Sequence, residues 1–193
     1  MRIFKLLLVS LIVLSISPAF AFDNNRQGFI LGFGAGFHTI DSDVIYNGSK
    51  LGKDSDSGIA TSFKIGAGLT DQFALYYVRN ASWYSAPYSD GFTTKDITYT
   101  MGIMGFGATY FLTPSTPSGY ILGAIGAGDL SAPFESGISS DTGSAFMLGA
   151  GYEFNNHFMV EGTWQSTNID SADDPLLNIE SSSFQVTMNY VFY

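Results

Sequence analysis

Residues 28–39 read GFILGFGAGFHT, and the fold is decided by that stretch. Phe29, Leu31, Phe33, Ala35 and Phe37 share one parity, while Gly32, Gly34, Gly36 and His38 share the other. Alternate residues of a strand point to opposite faces. One face is therefore apolar and wide, the other small or polar. Residues 58–70 repeat the pattern, with Ile59, Phe63, Ile65, Ala67 and Leu69 set against Ala60, Ser62, Lys64, Gly66 and Gly68. Further strands are predicted at 73–83, 97–112, 120–128, 143–154, 158–168 and 182–193. The parity of the fifth, 120–128, is ambiguous.

Eight strands is an even number, and the connections between them alternate in length. Segments 71–72, 113–118 and 155–157 are short; 40–57, 84–96, 129–142 and 169–181 are long. Short turns on one side and long loops on the other describe a transmembrane β-barrel. The long segments also collect the acids: Asp41, Asp43, Asp54, Asp56, Asp90, Asp96, Asp129, Glu135, Asp141, Asp170, Asp173, Asp174 and Glu180. Only Asp23, Asp71, Glu153 and Glu161 lie elsewhere, as expected where a lipid-facing charge is costly. A soluble eight-stranded barrel would keep its larger side chains inside. Eight strands leave an interior just wide enough for side chains, and the bulky set here is too large for it. The bulky set must face lipid, which makes the fold an all-β, eight-stranded antiparallel transmembrane β-barrel.

Composition agrees. Charged residues are 13% of the chain, cysteine is absent and only two histidines occur. Thiol nucleophiles, disulfides and zinc–thiolate sites are excluded. With 8 Lys+Arg against 17 Asp+Glu, no basic surface exists for nucleic acid. Residues 1–21 read as an export signal: Arg2 and Lys5, an apolar run, then Pro18-Ala-Phe-Ala21 with small residues before the cut. The barrel domain is then 22–193.

The chain ends VTMNYVFY over 186–193. Phe184, Val186, Met188, Tyr190 and Phe192 form an alternating apolar set that resembles the C-terminal strand of Gram-negative outer-membrane barrels. LGAGYEF at 148–154, the Asn155-Asn156 turn and FMVE at 158–161 are similar to closing hairpins of the OmpX/OmpA-like family. The resemblance covers 22–193. It implies recognition by the barrel-assembly machinery and periplasmic chaperones, and a place among outer-membrane lipids and lipopolysaccharide. It also implies a non-enzymatic role in envelope integrity or surface interaction through four acidic extracellular loops, toward a ligand the sequence does not name. The family ends on the residue equivalent to Phe192; Tyr193 is an addition.

Three alternatives can be read from the residues. Lys64, Glu153 and Glu161 have lumen parity, and a Lys64–Glu161 pair is either a plug or the charged constriction of a narrow pore. Phe111, Tyr76, Met147 and Met159 fill the lumen if they point inward. Arg79 shares parity with Phe73 and Leu75, so it faces lipid unless a bulge turns it. A lipid A-modifying enzyme needs a serine with a base in reach. Trp164-Gln-Ser166 lacks the histidine, and His38 near Asp41 and Ser42 is read as a rim residue. Asp54-Ser-Asp56-Ser-Gly58 lacks the distal glutamate of a calcium loop, so no cofactor or metal is expected. Asp173 and Asp174 would suit cation bridging to lipopolysaccharide, and Pro175-Leu176-Leu177 is an apolar loop patch. Trp83 and Trp164 at outer strand ends, with Tyr110, Phe154 and Phe192 at inner ends, are expected interface anchors.

Overall fold

The computed structural model describes residues 26–89, 93–135, 140–172 and 174–193. The export signal, Asp90 and Asp173 lie outside the described residues. Eight antiparallel strands form one closed barrel: β1 (Gly28–Tyr46), β2 (Ser49–Gly68), β3 (Phe73–Ser89), β4 (Thr94–Phe111), β5 (Ser118–Ser131), β6 (Asp141–Glu153), β7 (Phe158–Asp170) and β8 (Leu177–Phe192). β1 pairs with both β2 and β8, which closes the ladder. Lipid demands that closure, since it offers no partner to an open edge.

Register fixes the shape. The row of paired residues that starts at Phe33 runs through Phe63, Arg79, Met104, Ala127, Ser144, Asn168 and Glu180 and returns to β1 at Asp43. One circuit thus displaces the row by ten residues, from 33 to 43. At ~3.3 Å per residue and ~4.8 Å between strands, that stagger tilts the strands by ~40° from the barrel axis.

The bulky set faces out. Phe37, Phe106 and Ile125 are more than 70% exposed, and Phe33, Ile59, Phe184 and Met188 are also exposed. On β5 the ambiguity resolves: Tyr120, Leu122 and Ala124 are buried inside, while Ile121 and Ile125 face out. Phe111, Tyr76, Met147 and Met159 all point inward and are buried.

The first long segment is not a loop. β1 and β2 continue to a tight turn at Asn47 and Gly48, whose φ values are 48° and 77°. Asn-Gly is the sequence that a hairpin turn with two positive φ angles prefers. Asp41, Asp43, Asp54 and Asp56 therefore stand on paired strands rather than in an acidic loop. β3–β4 and β7–β8 are extended in the same way. Above the bilayer both faces of a strand meet water, so the apolar alternation that marks a strand disappears while the hydrogen-bond ladder continues.

Candidate functional site

The lumen is built from inward-facing residues in layers. At the inner end, Arg26 lies just before β1 and pairs with Glu153 at the end of β6. Its guanidinium donates to the carbonyls of Asp71 at 2.9 Å and Thr113 at 2.7 Å, which draws two of the short turns beneath the barrel. It also stacks over Phe111, 4.0 Å from the ring centre, a cation–π contact. Tyr193 lies just past the last ladder residue. Its hydroxyl donates to Glu153 Oε1 at 2.9 Å, and the side chain is buried. The added terminal tyrosine is thus part of the inner seal.

Above this layer, Lys64 of β2 pairs with Glu161 of β7 across the barrel. Tyr120 donates to the same carboxylate at 3.0 Å, and Tyr76 bonds Thr109 at 2.8 Å. Lys64 Nζ lies 5.3 Å from the Tyr76 ring centre. The cavity between these groups holds about 20 Å³, room for one water beside Glu161 Oε1. All three lumen charges expected from sequence are buried inside the barrel, Glu153 and Glu161 almost completely.

The next layers are neutral. Asn80 reaches Met147 and Gln185; Gln185 donates to Ser82, which bonds Ser183 at 3.0 Å. Ile40, Met101 and Ile169 then form an apolar cluster with Tyr84, Leu130 and Ile179 at the outer end. Among the described residues the inner end of the lumen thus holds ion pairs and the outer end an apolar cluster.

His38 is not at the rim. It is 3% exposed on the inner face of β1, with Nε2 3.0 Å from the Trp83 carbonyl. Asp41 lies on the opposite face, bonded to Ser55. The acid of the His38, Asp41 and Ser42 trio thus lies on the opposite face of β1 from the base. Among the described residues, no group of three or more His, Asp or Glu side chains is placed to hold a metal.

Arg79 faces lipid without a bulge. Its side chain reaches past β4 and forms a two-pronged pair with Asp129 of β5, Nη2 to Oδ2 at 2.7 Å. Asp129, read from sequence as a loop acid, stands in the strand. Arginine can bury its stem along apolar surface and carry its charge toward the boundary, and here a carboxylate receives it.

Trp83 donates to Thr61 and packs on Phe134; Trp164 donates to Ser182 and packs on Phe146. Tyr110 and Phe154 are exposed on the outer surface. Phe192, Tyr190, Phe158 and His157 form an aromatic cluster at the inner rim. Arg26 and Tyr193 were missed in the sequence. Arg26 precedes the first strand pattern, and only its position just ahead of Gly28 hinted that it could reach the inner mouth.

Tyr193→Phe removes one hydrogen bond to a buried carboxylate. Such bonds contribute roughly 1.5–3 kcal/mol, so the urea midpoint of the folded barrel should fall by that equivalent at an unchanged slope. An unchanged midpoint would show that Tyr193 adds nothing to the seal.

No curated protein matches the chain. Among solved structures it is similar to Ail, the attachment invasion locus protein of Yersinia pestis, at 15% identity and a TM-score of 0.51, over 86% of this chain and 99% of that one. It is also similar to OprG from Pseudomonas aeruginosa, at 16% identity and a TM-score of 0.48, over 88% and 99%. Neisserial surface protein A matches at 14% identity and a TM-score of 0.49, over 82% and 96%. At 15% identity the likeness to Ail speaks to the fold alone. A family model settles membership, since it matches residues 6–192. An eight-stranded cylinder with an apolar outer face and that match make this chain a member of the outer membrane protein beta-barrel domain family, a barrel of the Gram-negative outer membrane.

Proposed function

We propose that the protein is a non-enzymatic outer-membrane barrel that works from its extracellular strand extensions, in surface interaction or envelope integrity. The observation that carries the reading is the filled lumen. Two ion-paired layers, a neutral hydrogen-bonded layer and an apolar lid leave no described route through the barrel. The separation of His38 from Asp41 speaks against serine chemistry at that strand. Export by residues 1–21 belongs to the same reading. So does assembly through Phe184, Val186, Met188, Tyr190 and Phe192, of which the first four are exposed on the outer face of β8, and so does contact with lipopolysaccharide.

Liposomes carrying the folded barrel should show no flux of small sugars or amino acids above that of empty liposomes. Flux that falls in Glu161→Gln would overturn the reading in favour of a narrow pore. A change in lipid A mass on expression, abolished by His38→Ala, would overturn it in favour of an enzyme. Ail was solved with the heparin analogue sucrose octasulfate. In the present protein a polyanion would meet Asp41, Asp43, Asp54 and Asp56 on the first hairpin, so the charge favours a cationic partner.

A further inference from the structure

The outer mouth of the lumen holds two acids that the chain itself does not neutralise. Asp54 and Asp56 share parity with the buried Ala60 and Lys64, and Asp56 pairs with Ile40 of the apolar cluster. Both side chains therefore stand on the inner face of β2, at and above that cluster. Every lysine and arginine after residue 21 is paired with some other acid. On the outer side, Lys50 takes Asp43, Lys53 takes Asp41 and Lys95 takes Glu135. Asp54 and Asp56 have no ion-pair partner among the described residues. Partial burial and the neighbouring Asp54 push the Asp56 carboxyl above its usual range, and nearby His38 offsets only part of that.

The wall beside them is aromatic. The β2–β3 ladder stops at Ile59 and Trp83, and Tyr84 is the next residue of β3, on its inner face. Tyr84 stacks on Tyr99 of β4, with ring centres 6.0 Å apart and planes 25° from parallel. It also packs on the cluster of Ile40, Met101 and Ile169. Burial, then the charges of Asp56, Tyr99 and Asp54, hold the Tyr84 hydroxyl above its usual range, so ring and carboxylates share one space. Directly beneath, His38 pairs with Gly58, where a Cβ would stand 3.1 Å from the His38 Nε2. Nε2 donates to the Trp83 carbonyl, 3.0 Å away, which leaves a lone pair on Nδ1. That Nδ1 is buried and has no partner among the described residues. It is an acceptor that calls for an N–H or O–H.

Two uncompensated carboxylates, a stacked tyrosine pair, an apolar floor and a buried acceptor describe a site for an organic ammonium. A carboxylate takes the charge, a ring face takes the cation, and the N–H meets the acceptor. A metal ion would need more oxygen ligands than two carboxylates supply. At ~3.3 Å per residue the two carboxylates repeat at ~6–7 Å, a span that about four methylenes cover. We propose that the outer mouth of the barrel binds a linear aliphatic diamine, one ammonium at Asp56 and His38, the other at Asp54, with the methylene chain against Tyr84. The inference rests on the reading above that the lumen is shut beneath the site, which makes the mouth a place of holding and not of entry.

The test is calorimetry of the full folded barrel with 1,4-diaminobutane, beside uptake of the labelled diamine by liposomes carrying the barrel. The expected result is saturable binding, one diamine per barrel, with no uptake. 1-Aminobutane should bind at least about tenfold more weakly, and Asp54→Asn/Asp56→Asn should weaken the diamine to a similar degree. Tyr84→Leu, which leaves every charge in place, should weaken it by about two- to fivefold. Glu180→Gln removes an exposed acid on the outer face of β8 and should change nothing. Absence of saturable binding would overturn the proposal. So would an equal loss in Glu180→Gln, the mark of a diffuse counter-ion, or unchanged affinity in Tyr84→Leu. Displacement by magnesium chloride as effective as by unlabelled diamine would overturn the stated ligand class. Uptake through the barrel would register as failure of the shut-lumen reading, separately from the binding result.

Discussion

Glu161→Ala should lower the unfolding free energy of the barrel by about 3–5 kcal/mol. The magnitude follows from what remains. Lys64 is 6% exposed and, among the described residues, has only Glu161 as a counter-charge. Removing the carboxylate leaves an ammonium group buried without its ion partner and strips Tyr120 of the acceptor for its hydroxyl. Urea unfolding in phospholipid vesicles, followed by tryptophan fluorescence, measures the loss. The double variant Lys64→Met/Glu161→Leu removes both charges and should return most of the stability, because a buried ion pair is often replaceable by apolar groups of similar size. A single variant as stable as the parent would show that the pair does not hold the cylinder.

Gly36→Val should prevent closure altogether. Gly36 sits on the seam between β1 and β8, opposite Thr187. A Cβ built there would lie 1.8 Å from the Val186 carbonyl oxygen and 2.7 Å from Thr187 Cα. Both atoms are backbone, so no side-chain rotation relieves the clash, and relief would require the strands to part. The expected readout is loss of the heat-dependent gel shift that closed barrels show. Gly52→Val is the control: it lies on the same hairpin with nothing within 4 Å of the added atom, and should fold as the parent does. A heat-dependent shift in Gly36→Val would mean that the seam tolerates a bulge there.

Strand number, order of connections and the outward set were legible because the bilayer writes them into the chain. A lipid-facing side chain must be apolar, and a period of two follows wherever the other face is enclosed. Lys64, Glu153 and Glu161 were found by that parity alone. The strand extensions were not legible, since Asp41, Ser42, Asp43 and their partners Ser55, Asp54 and Lys53 meet water and have no face to mark. The Asn47-Gly48 turn was the available sign and was absorbed into an apparent loop. Asp129 was misplaced for a related reason. An acid on an apolar strand reads as the strand's end unless the arginine that receives it, two strands away, is known. His38 was taken for a rim residue because its neighbours Asp41 and Ser42 suggested water, whereas its own parity already pointed inward.

The two lumen ion pairs share one property. Lys64 on β2 and Glu161 on β7 are not on neighbouring strands, and neither are Arg26 before β1 and Glu153 on β6. A slip of two residues at the β1–β8 seam would keep every side chain on its own face, so the apolar pattern does not penalise it. The same slip would change the stagger to eight or twelve and carry β7 along β2 by up to about 6–7 Å. Each cation would then lose its anion inside a cylinder with no solvent to replace it. The charges thus act as a vernier for the nascent barrel: greasy alternation selects the face, and the two crossings select the single offset at which the wall can shut.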